Sequence, residues 1–161
     1  MNPEIQRTGD RYRLVYDEVY ATDIDDLWQA ITDRDRLARW MADYDGELRL
    51  GGTWQVASED DVPWTTGTVT ACDPPRSFTT TWHATGEDPT ELVVSLESVP
   101  GGTRLLLEHT GIQSIFYGAG WQTYLERLGD DLAGREVGGE DAWQARFAEL
   151  KSTYDERFGA L

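Results

Sequence analysis

The sequence has little of the chemistry that forms disulfides or binds metals. Among its 161 residues Cys72 is the only cysteine, so neither an intramolecular disulfide nor a cysteine-based metal cluster can form. The two histidines, His83 and His109, have no HxH or HExxH spacing, and the chain has no Gly-x-Gly-x-x-Gly loop and no P-loop. The acidic run at residues 58–61 lacks the ligand spacing of an EF-hand and is interpreted as a solvated turn. We therefore expect no metal ion and no cofactor.

Positive charge is also scarce. Fourteen Lys and Arg residues stand against thirty Asp and Glu residues, which gives a net charge of −16, and Lys151 is the only lysine. A field of this sign repels nucleic-acid phosphates and anionic membrane surfaces, so neither is expected as a partner. The acidity is interpreted as a source of solubility, with a cation-attracting pocket as the alternative.

Long apolar runs are absent as well. No segment approaches the length of about 20 apolar residues that a membrane-spanning helix needs. Residues 1–4 lack the charged and apolar regions of a signal peptide, so a cytoplasmic location is expected. Hydrophobic residues at 39% and aromatic residues at 11% are typical of a globular protein, and the length suits one domain.

Hydrophobic periodicity predicts the order of the elements. Alternation over residues 13–20 predicts a strand, and helical spacing predicts two short helices at about 22–31 and 36–41. From residue 44 to 111 the period is two, with glycine and proline between short segments, which is typical of an antiparallel meander. A long apolar helix follows, with its stripe at Trp121, Leu125, Leu128 and Leu132.

This order has a geometric consequence. A sheet with one apolar face needs a cover, and the long helix that can supply it comes after the last strand. We therefore predict an α+β fold in which a curved antiparallel sheet of about seven strands grips the long C-terminal helix, with two short helices after the first strand. Because one helix cannot fill a strongly bent sheet, a cavity is expected between them.

A further amphipathic segment at residues 140–158 needs a cover of its own. Burying each large apolar side chain is worth about 1.5–3 kcal/mol, so its stripe is too costly to leave in water. We predict that the stripe packs on the outside of the sheet or on a second copy of the chain, and we favour a homodimer contact. Its members are Trp143, Phe147, Leu150, Tyr154 and Phe158.

Six segments that cover roughly residues 12–134 carry a family resemblance: YATDIDDLWQAITD, RLARWM, GELRLGGTW, DPPRSFTTTW, GGTRLLLEHTG and GWQTYLERL. In this order they resemble START-like (SRPBCC) domains, and more narrowly the family related to the activator of the heat-shock-protein-90 ATPase. The resemblance implies a helix-grip domain at residues 1–139, with residues 140–161 as a helical extension of the same domain. The chain departs from the family at Asp23 and Arg34, where turn prolines are usual.

Two inward-facing residues are candidates for acid–base chemistry. His109 shares its parity with Leu105 and Leu107, so it is expected to face the cavity, where a histidine can act near neutral pH. The alternative is a buried histidine bonded to a neighbouring backbone or hydroxyl group, and we prefer it because the sequence shows no orienting partner. Glu18 lies between Tyr16 and Tyr20 on the same face, where burial raises a carboxyl pKa. The alternative is a carboxylate at the end of the strand that pairs with arginine or reaches solvent, and we prefer it because acidic side chains are almost never fully buried unpaired.

The best case for ligand binding comes from aromatic side chains. Flat apolar rings with a polar edge suit hydrophobic or aromatic ligands, although each ring taken alone is also compatible with core packing. Trp28 and Trp40, on the short helices, are interpreted as structural. The predicted cavity-lining residues are Trp54, Phe78, Thr80, Trp82, His109, Trp121, Tyr124, Leu125 and Leu128.

Three functions remain open from sequence, because the resemblance spans binders, enzymes and co-chaperones. The leading hypothesis is non-catalytic binding of a small apolar or aromatic molecule, oriented by His109 and the hydroxyls of Thr80 or Tyr124. The alternatives are a cyclase- or dehydratase-type enzyme that uses the same cavity, and a co-chaperone-like or regulatory interaction module. A cavity on the order of several hundred Å³ favours a ligand, and a packed interior favours a surface role.

Overall fold

The computed structural model describes residues 1–57 and 63–161, so the acidic run predicted as a turn lies outside the described residues. The described part of the chain contains four helices: α1 (Ile24–Thr32), α2 (Arg34–Trp40), α3 (Phe116–Leu132) and α4 (Glu140–Phe158). It also contains eight strands: β1 (Glu4–Thr8), β2 (Arg11–Tyr20), β3 (Tyr44–Gly46), β4 (Thr53–Ala57), β5 (Pro63–Asp73), β6 (Ser77–Ala84), β7 (Thr90–Val99) and β8 (Gly102–Ile112).

These strands form one antiparallel sheet in the order β1-β2-β8-β7-β6-β5-β4-β3. The α+β helix-grip architecture predicted from sequence is therefore confirmed, with β1 as an additional strand among the described residues. Because β1 precedes the predicted first strand, the two short helices follow the second strand. Strand β1 carries little hydrophobic periodicity, because Ile5 is its only buried residue and the remaining four are exposed.

Two aspartates set the ends of the short helices α1 and α2. The Asp23 carboxylate accepts a hydrogen bond from the backbone N–H of Asp26 at 2.8 Å, which caps the start of α1. Asp33 ends α1 and caps α2 by accepting from the N–H of Arg36 at 3.1 Å. Capping by side chains thus takes the place of the prolines that the family uses at these turns.

The apolar face of the sheet is covered by α3. Leu14, Leu92 and His109 lie opposite one another on β2, β7 and β8, and this row points into the core. The helix is tied to β2, since the Tyr20 hydroxyl donates to the backbone oxygen of Leu125 at 3.0 Å. The sheet and α3 thereby enclose the space in which the sequence placed a ligand.

The last helix, α4, packs along α3 of its own chain. Leu150 and Tyr154 are buried, and the Tyr154 hydroxyl donates to Oε1 of Gln122 at 2.7 Å and contacts the hydroxyl of Tyr16. Gly118 makes this approach possible, because a Cβ added there would lie 2.4 Å from the Tyr154 ring. The apolar stripe therefore has a cover that the sequence interpretation did not foresee. The homodimer contact through residues 140–158 stays a prediction.

An ion pair reinforces the contact between the two long helices. The Arg146 guanidinium donates two hydrogen bonds of 2.8 Å to the carboxylate of Glu126 on α3. This bidentate geometry lowers the pKa of Glu126 below its ordinary value. None of the helices in residues 1–57 and 63–161 combines the length and the apolar character needed to cross a membrane.

Candidate ligand-binding site

A small enclosed space lies between the sheet and α3. Its volume is about 50 Å³, which is far below the several hundred Å³ expected from the sequence, because large side chains fill most of the interior. By the criterion given in the sequence analysis, this packed interior favours a surface role over a ligand held deep between the sheet and α3. Gly67 contributes to this packing, because a Cβ there would lie 2.4 Å from the Trp54 ring. This inner cavity is bordered by Ile31, Leu37, Trp40, Met41, Tyr44, Leu48, Trp54, Phe78, Thr80, Trp82, Leu92, Val94, Leu105, Leu107, Trp121 and Leu125.

A larger space opens beside the inner cavity, between α3, α4 and the ends of α2, β5 and β6. Its volume is about 300 Å³, at the lower end of the range for small-molecule sites. Eight of its eleven lining residues carry aromatic rings. This aromatic groove is lined by Met41, Trp64, Trp82, Ser114, Phe116, Tyr117, Gly120, Trp121, Tyr124, Trp143 and Phe147.

The two spaces share a wall made of Met41, Trp82 and Trp121. The ring centroids of Trp82 and Trp121 are 5.4 Å apart, and Trp82 lies 5.3 Å from Trp54 on the cavity side. Tilted contacts of this kind are favourable for aromatic pairs. The rings of Trp82 and Trp121 thus lie in contact between the two spaces.

Aromatic contacts continue from this wall to α4. The ring centroids of Trp121 and Tyr124 are 6.4 Å apart, and those of Tyr124 and Trp143 are 5.3 Å apart. Trp143 stacks on Phe147 with a centroid distance of 4.9 Å and an angle of 18° between the ring planes. Burial raises the pKa of Tyr124 to about 12, so its phenol stays neutral. The groove thus presents an uncharged aromatic surface built from two helices.

The indole N–H groups divide into two kinds. Trp40 donates to the backbone oxygen of Ala30 at 2.9 Å, Trp54 donates to Oγ1 of Thr80 at 2.8 Å, and Trp121 donates to His109 at 3.0 Å. In contrast, the buried N–H of Trp143 has no hydrogen-bond partner among the described residues, and the buried N–H of Trp82 makes no well-aligned hydrogen bond there, although the Tyr117 hydroxyl lies beside it. A buried donor without an acceptor costs about 1–3 kcal/mol, and an orphan in a native structure calls for an explanation.

His109 is fully buried, and both of its ring nitrogens are engaged. Because an indole N–H can only donate, the Trp121 bond makes Nδ1 of His109 the acceptor and leaves the proton on Nε2. Nε2 then donates to Oγ1 of Thr90 at 2.7 Å, and Thr90 donates to the backbone oxygen of Trp82 at 2.9 Å. Burial lowers the pKa of His109 to about 3, so the ring is neutral at physiological pH.

The second acid–base candidate lies apart from both spaces. Glu18 is partly buried on β2, and burial raises its carboxyl pKa. It borders neither the inner cavity nor the aromatic groove. Glu18 is therefore not placed to act on a molecule held in either space.

Two further groups define the edge of the aromatic groove. The Tyr117 hydroxyl donates to the carboxylate of Glu87; burial and this carboxylate raise the pKa of Tyr117, and the nearby Trp82 indole offsets part of the rise. The ammonium of Lys151, the only lysine, lies 4.9 Å from the centroid of the Phe116 ring. This cation–π contact places a positive charge at the α4 side of the groove.

The predicted cavity-lining residues fall into four groups. Trp54, Phe78, Thr80, Trp82, Trp121 and Leu125 border the inner cavity, and Trp82, Trp121 and Tyr124 border the aromatic groove. Leu128 is fully buried but borders neither space, and His109 lies behind the Trp82 and Trp121 rings. The Thr80 hydroxyl, a predicted orienting group, already accepts from Trp54 and lies within hydrogen-bond distance of two backbone oxygens.

Sequence reasoning missed the residues that form the outer part of the groove. Trp143 and Phe147 were recognised as part of an apolar stripe, but the stripe was assigned to a subunit contact. Phe116 and Tyr117 precede the periodic part of α3, and Trp64 lies at the start of β5. The sequence signal for this part of the groove is the spacing of Trp143 and Phe147, which lie four residues apart and so share one face of α4.

An open polar pocket of about 590 Å³ lies elsewhere on the sheet, around β3 to β6. Asp45, Thr53, Gln55, Thr68 and His83 are among its lining residues. The outward direction predicted for His83 agrees with its place in this pocket. Its lining is more polar than that of the aromatic groove.

The fold and the aromatic groove define a START-like helix-grip protein. Residues 21–133 match the family described as Activator of Hsp90 ATPase homolog 1-like protein. Because this match spans well over half of the sequence, the chain belongs to that family. The family assignment made from the six sequence segments is confirmed. No curated protein sequence matches the chain significantly.

Solved structures show the same fold. The solution NMR structure of CalU16 from Micromonospora echinospora is 26% identical, covers 94% of this chain and 90% of that chain, and has a TM-score of 0.76. DynU16, a protein in the dynemicin biosynthetic locus, is 18% identical over 80% of this chain and 50% of that chain, with a TM-score of 0.70. An HSP90 activator from Plasmodium falciparum is 21% identical, covers 76% and 96% of the two chains, and has a TM-score of 0.64.

Proposed function

We propose that this protein binds a small apolar or aromatic molecule without catalysing a reaction on it. The ligand lies in the aromatic groove and extends toward the inner cavity. Family membership and the fold are consistent with ligand binding in a helix-grip domain. The observation that carries the proposal is the groove itself, which combines about 300 Å³ with a continuous aromatic surface.

The volumes support the groove rather than the inner cavity as the main site. A space of about 50 Å³ accommodates a few water molecules, whereas a ligand of two or three fused rings needs several times that volume. The groove has that volume and exposes aromatic faces on which flat rings stack. The inner cavity adds room only when the shared wall moves.

The state of His109 supports binding over the cyclase- or dehydratase-type alternative. A general base needs a free lone pair within reach of the substrate, and Nδ1 of His109 is occupied by the Trp121 N–H. A pKa of about 3 also makes this ring a poor proton acceptor near neutral pH. Glu18, the other candidate, borders neither space.

The solved relatives favour no particular role for this chain. The likeness to DynU16, a protein in the dynemicin biosynthetic locus, is one of fold at 18% identity. At 21% identity, the likeness to the HSP90 activator is one of fold, so it does not favour a co-chaperone role over ligand binding or catalysis. A cytoplasmic location stays a prediction.

Titration with N-phenyl-1-naphthylamine, a neutral probe that fluoresces in apolar sites, tests the proposal. We expect saturable binding to the wild type and about tenfold weaker binding to the W143A/F147A double variant, since two stacking rings are lost. The matched control is V19A/L50A, which removes two apolar side chains that are 55% and 63% exposed outside the groove.

The control variant should bind the probe as the wild type does. We expect the groove variant to fold, because the buried Leu150 and Tyr154 still anchor α4. Thermal unfolding of all three proteins checks this. The proposal fails when the wild type shows no saturable binding, or when the groove and control variants bind equally well.

A further inference from the structure

The outer face of the sheet, opposite α3, has two parts of different chemistry. On β2, β7 and β8 it carries ion pairs: Arg13 lies 3.1 Å from Glu108, and Arg104 lies 3.8 Å from Glu97. On β4, β5 and β6 hydroxyl and amide side chains alternate with the buried residues of the core. The charged part of the face therefore adjoins a patch of mostly uncharged polar side chains.

One row of polar side chains crosses four strands of this patch. Asp45 on β3 pairs with Gln55 on β4, and Gln55 pairs with Thr66 on β5. Thr66 in turn pairs with His83 on β6. Side chains directly opposite each other in an antiparallel pair lie about 5 Å apart, so the row extends about 15 Å along the sheet.

A second row runs beside the first and makes the surface concave. Thr53 on β4 pairs with Thr68 on β5, and the backbone N–H of Thr68 donates to Oγ1 of Thr81 on β6 at 2.9 Å. Gln55, Thr66 and Thr68 are half-buried although they lie on the outer face. Both rows line the open polar pocket of about 590 Å³, a volume within the range of small-molecule sites.

The central side chains of the pocket are not used within the protein. In the described part of the chain, the side chains of Gln55, Thr66 and Thr68 form no hydrogen bond, whereas the inward hydroxyls of Thr80 and Thr90 are both engaged. An amide and a hydroxyl each offer donors as well as acceptors. The pocket therefore presents several hydrogen-bonding groups of both kinds to a molecule that enters it.

The charges around the pocket disfavour an anion. No lysine or arginine is among the lining residues that the structure describes, and the Asp45 carboxylate lies 3.7 Å from the Arg34 guanidinium outside the lining. A phosphate or carboxylate ligand would find no positive group in the lining and a net charge of −16 around it. A neutral ligand rich in hydroxyl groups meets neither obstacle.

We propose that the polar pocket is a binding site for a neutral carbohydrate, separate from the aromatic groove. The sugar lies along the row from Asp45 to His83, and its hydroxyls exchange hydrogen bonds with Gln55, Thr66 and Thr68. This site does not depend on the apolar ligand proposed for the groove, because the two spaces share no lining residue except in the described chain's common core.

NMR titration with cellobiose, maltose, lactose and sucrose tests the proposal. We expect at least one of these neutral disaccharides to cause saturable shifts of the backbone amides of Thr66 and Thr68 and of the Gln55 side-chain amide. Glycerol at the same concentration of hydroxyl groups is the control for a general solute effect, and it should leave these resonances unsaturated.

A pair of double variants assigns the binding to the pocket. T66V/T68V removes two hydroxyls that form no internal hydrogen bond among the described residues, and valine keeps the branched shape that suits a strand. Binding of the sugar should weaken about tenfold, since two hydrogen bonds are lost. The matched control is T70V/T79V, which removes two hydroxyls from β5 and β6 outside the pocket and should bind the sugar as the wild type does.

Three results would overturn the carbohydrate site. They are the absence of saturable shifts with all four disaccharides, shifts centred on the aromatic groove at Trp121 and Tyr124, and equal binding by the two double variants. Titration of the same proteins with N-phenyl-1-naphthylamine reports on the groove separately, so the carbohydrate site and the proposed function stand or fall independently.

Discussion

Burial turns His109 from a candidate base into a fixed hydrogen-bond partner. Its ring accepts from Trp121 on α3 and donates to Thr90 on β7, so it joins the covering helix to the sheet. Protonation at Nδ1 would break the Trp121 bond, because both nitrogens would then be donors. The folded state therefore disfavours the charged ring, which agrees with a pKa lowered to about 3.

This arrangement predicts a dependence of stability on pH. In the unfolded chain a histidine has a pKa of about 6.5, so between pH 6.5 and about 3 the unfolded state binds one more proton than the folded state. The free energy of unfolding should therefore fall as the pH falls through this window. Between pH 7 and pH 5 the loss from His109 should be about 2 kcal/mol.

Urea unfolding of the wild type and H109Q at pH 7 and pH 5 measures this loss. Carboxylates titrate alike in both proteins, so the difference between the two changes in unfolding free energy isolates the contribution of His109. Glutamine is a suitable replacement, since its amide can accept from Trp121 and donate to Thr90. Parallel pH profiles for the two proteins, or a His109 ring that titrates near pH 6 in the wild-type NMR spectrum, would contradict the buried neutral assignment.

Inward direction was predictable for individual residues, but their partners were not. The period of two in β6 and β8 places Thr80, Trp82 and His109 on the apolar face, and in the structure all three are buried there. The acceptor and donor of His109 come from β7 and α3, whose register and distance from β8 depend on the whole fold. No local pattern could show that Trp54 donates to Thr80 or that Trp121 donates to His109.

At the scale of elements, the docking of α4 on α3 depends on one close approach. Gly118 leaves room for the Tyr154 ring, and the backbone oxygen of Gly118 accepts from the hydroxyl of Tyr16 on β2. Three elements thus meet at a position where any side chain would intrude. The docked α4 then holds Trp143 and Phe147 along the groove.

Substitution of Gly118 by alanine should therefore destabilise the protein. The added Cβ would lie 2.4 Å from the Tyr154 ring, and overpacking of this kind costs about 1–3 kcal/mol. Gly129 is the matched control in the same helix, because a Cβ there meets the Tyr20 ring at an ordinary 3.6 Å. G129A should be neutral or more stable by up to about 1 kcal/mol, as alanine favours helix.

Urea unfolding of the two alanine variants separates packing from helix propensity. The binding of N-phenyl-1-naphthylamine by G118A should also weaken, since a displaced α4 misplaces one wall of the groove. Equal stability of G118A and G129A would show that α4 does not dock on α3 through Tyr154.

Elements with strong periodicity were predictable, and their mutual packing was less so. The long helix α3 and the amphipathic α4 both follow from apolar spacing in the sequence. The direction in which α4 leaves α3 is set by residues 133–139, and it decides whether the stripe meets α3, the sheet or another chain. Arg127 fixes part of this connection by donating to the backbone oxygens of Trp40 and Gly138.

At the scale of the whole molecule, the site extends beyond the part that matches the family. The match ends at residue 133, whereas Trp143 and Phe147 on α4 line the groove. The helix-grip core thus supplies the fold and the shared wall, and α4 supplies the outer aromatic wall. A net charge of −16 additionally lowers the concentration of anions near the surface, which favours neutral or cationic ligands.

The position of a bound probe tests this account most directly. Isotope-filtered NOE spectra of labelled protein with unlabelled fluorenone report which side chains lie near the probe. The account predicts NOEs to the rings of Trp82, Trp121 and Phe147, which line the groove. NOEs instead to Thr53, Thr68 and His83 of the polar pocket, or no intermolecular NOEs at saturating probe, would contradict it.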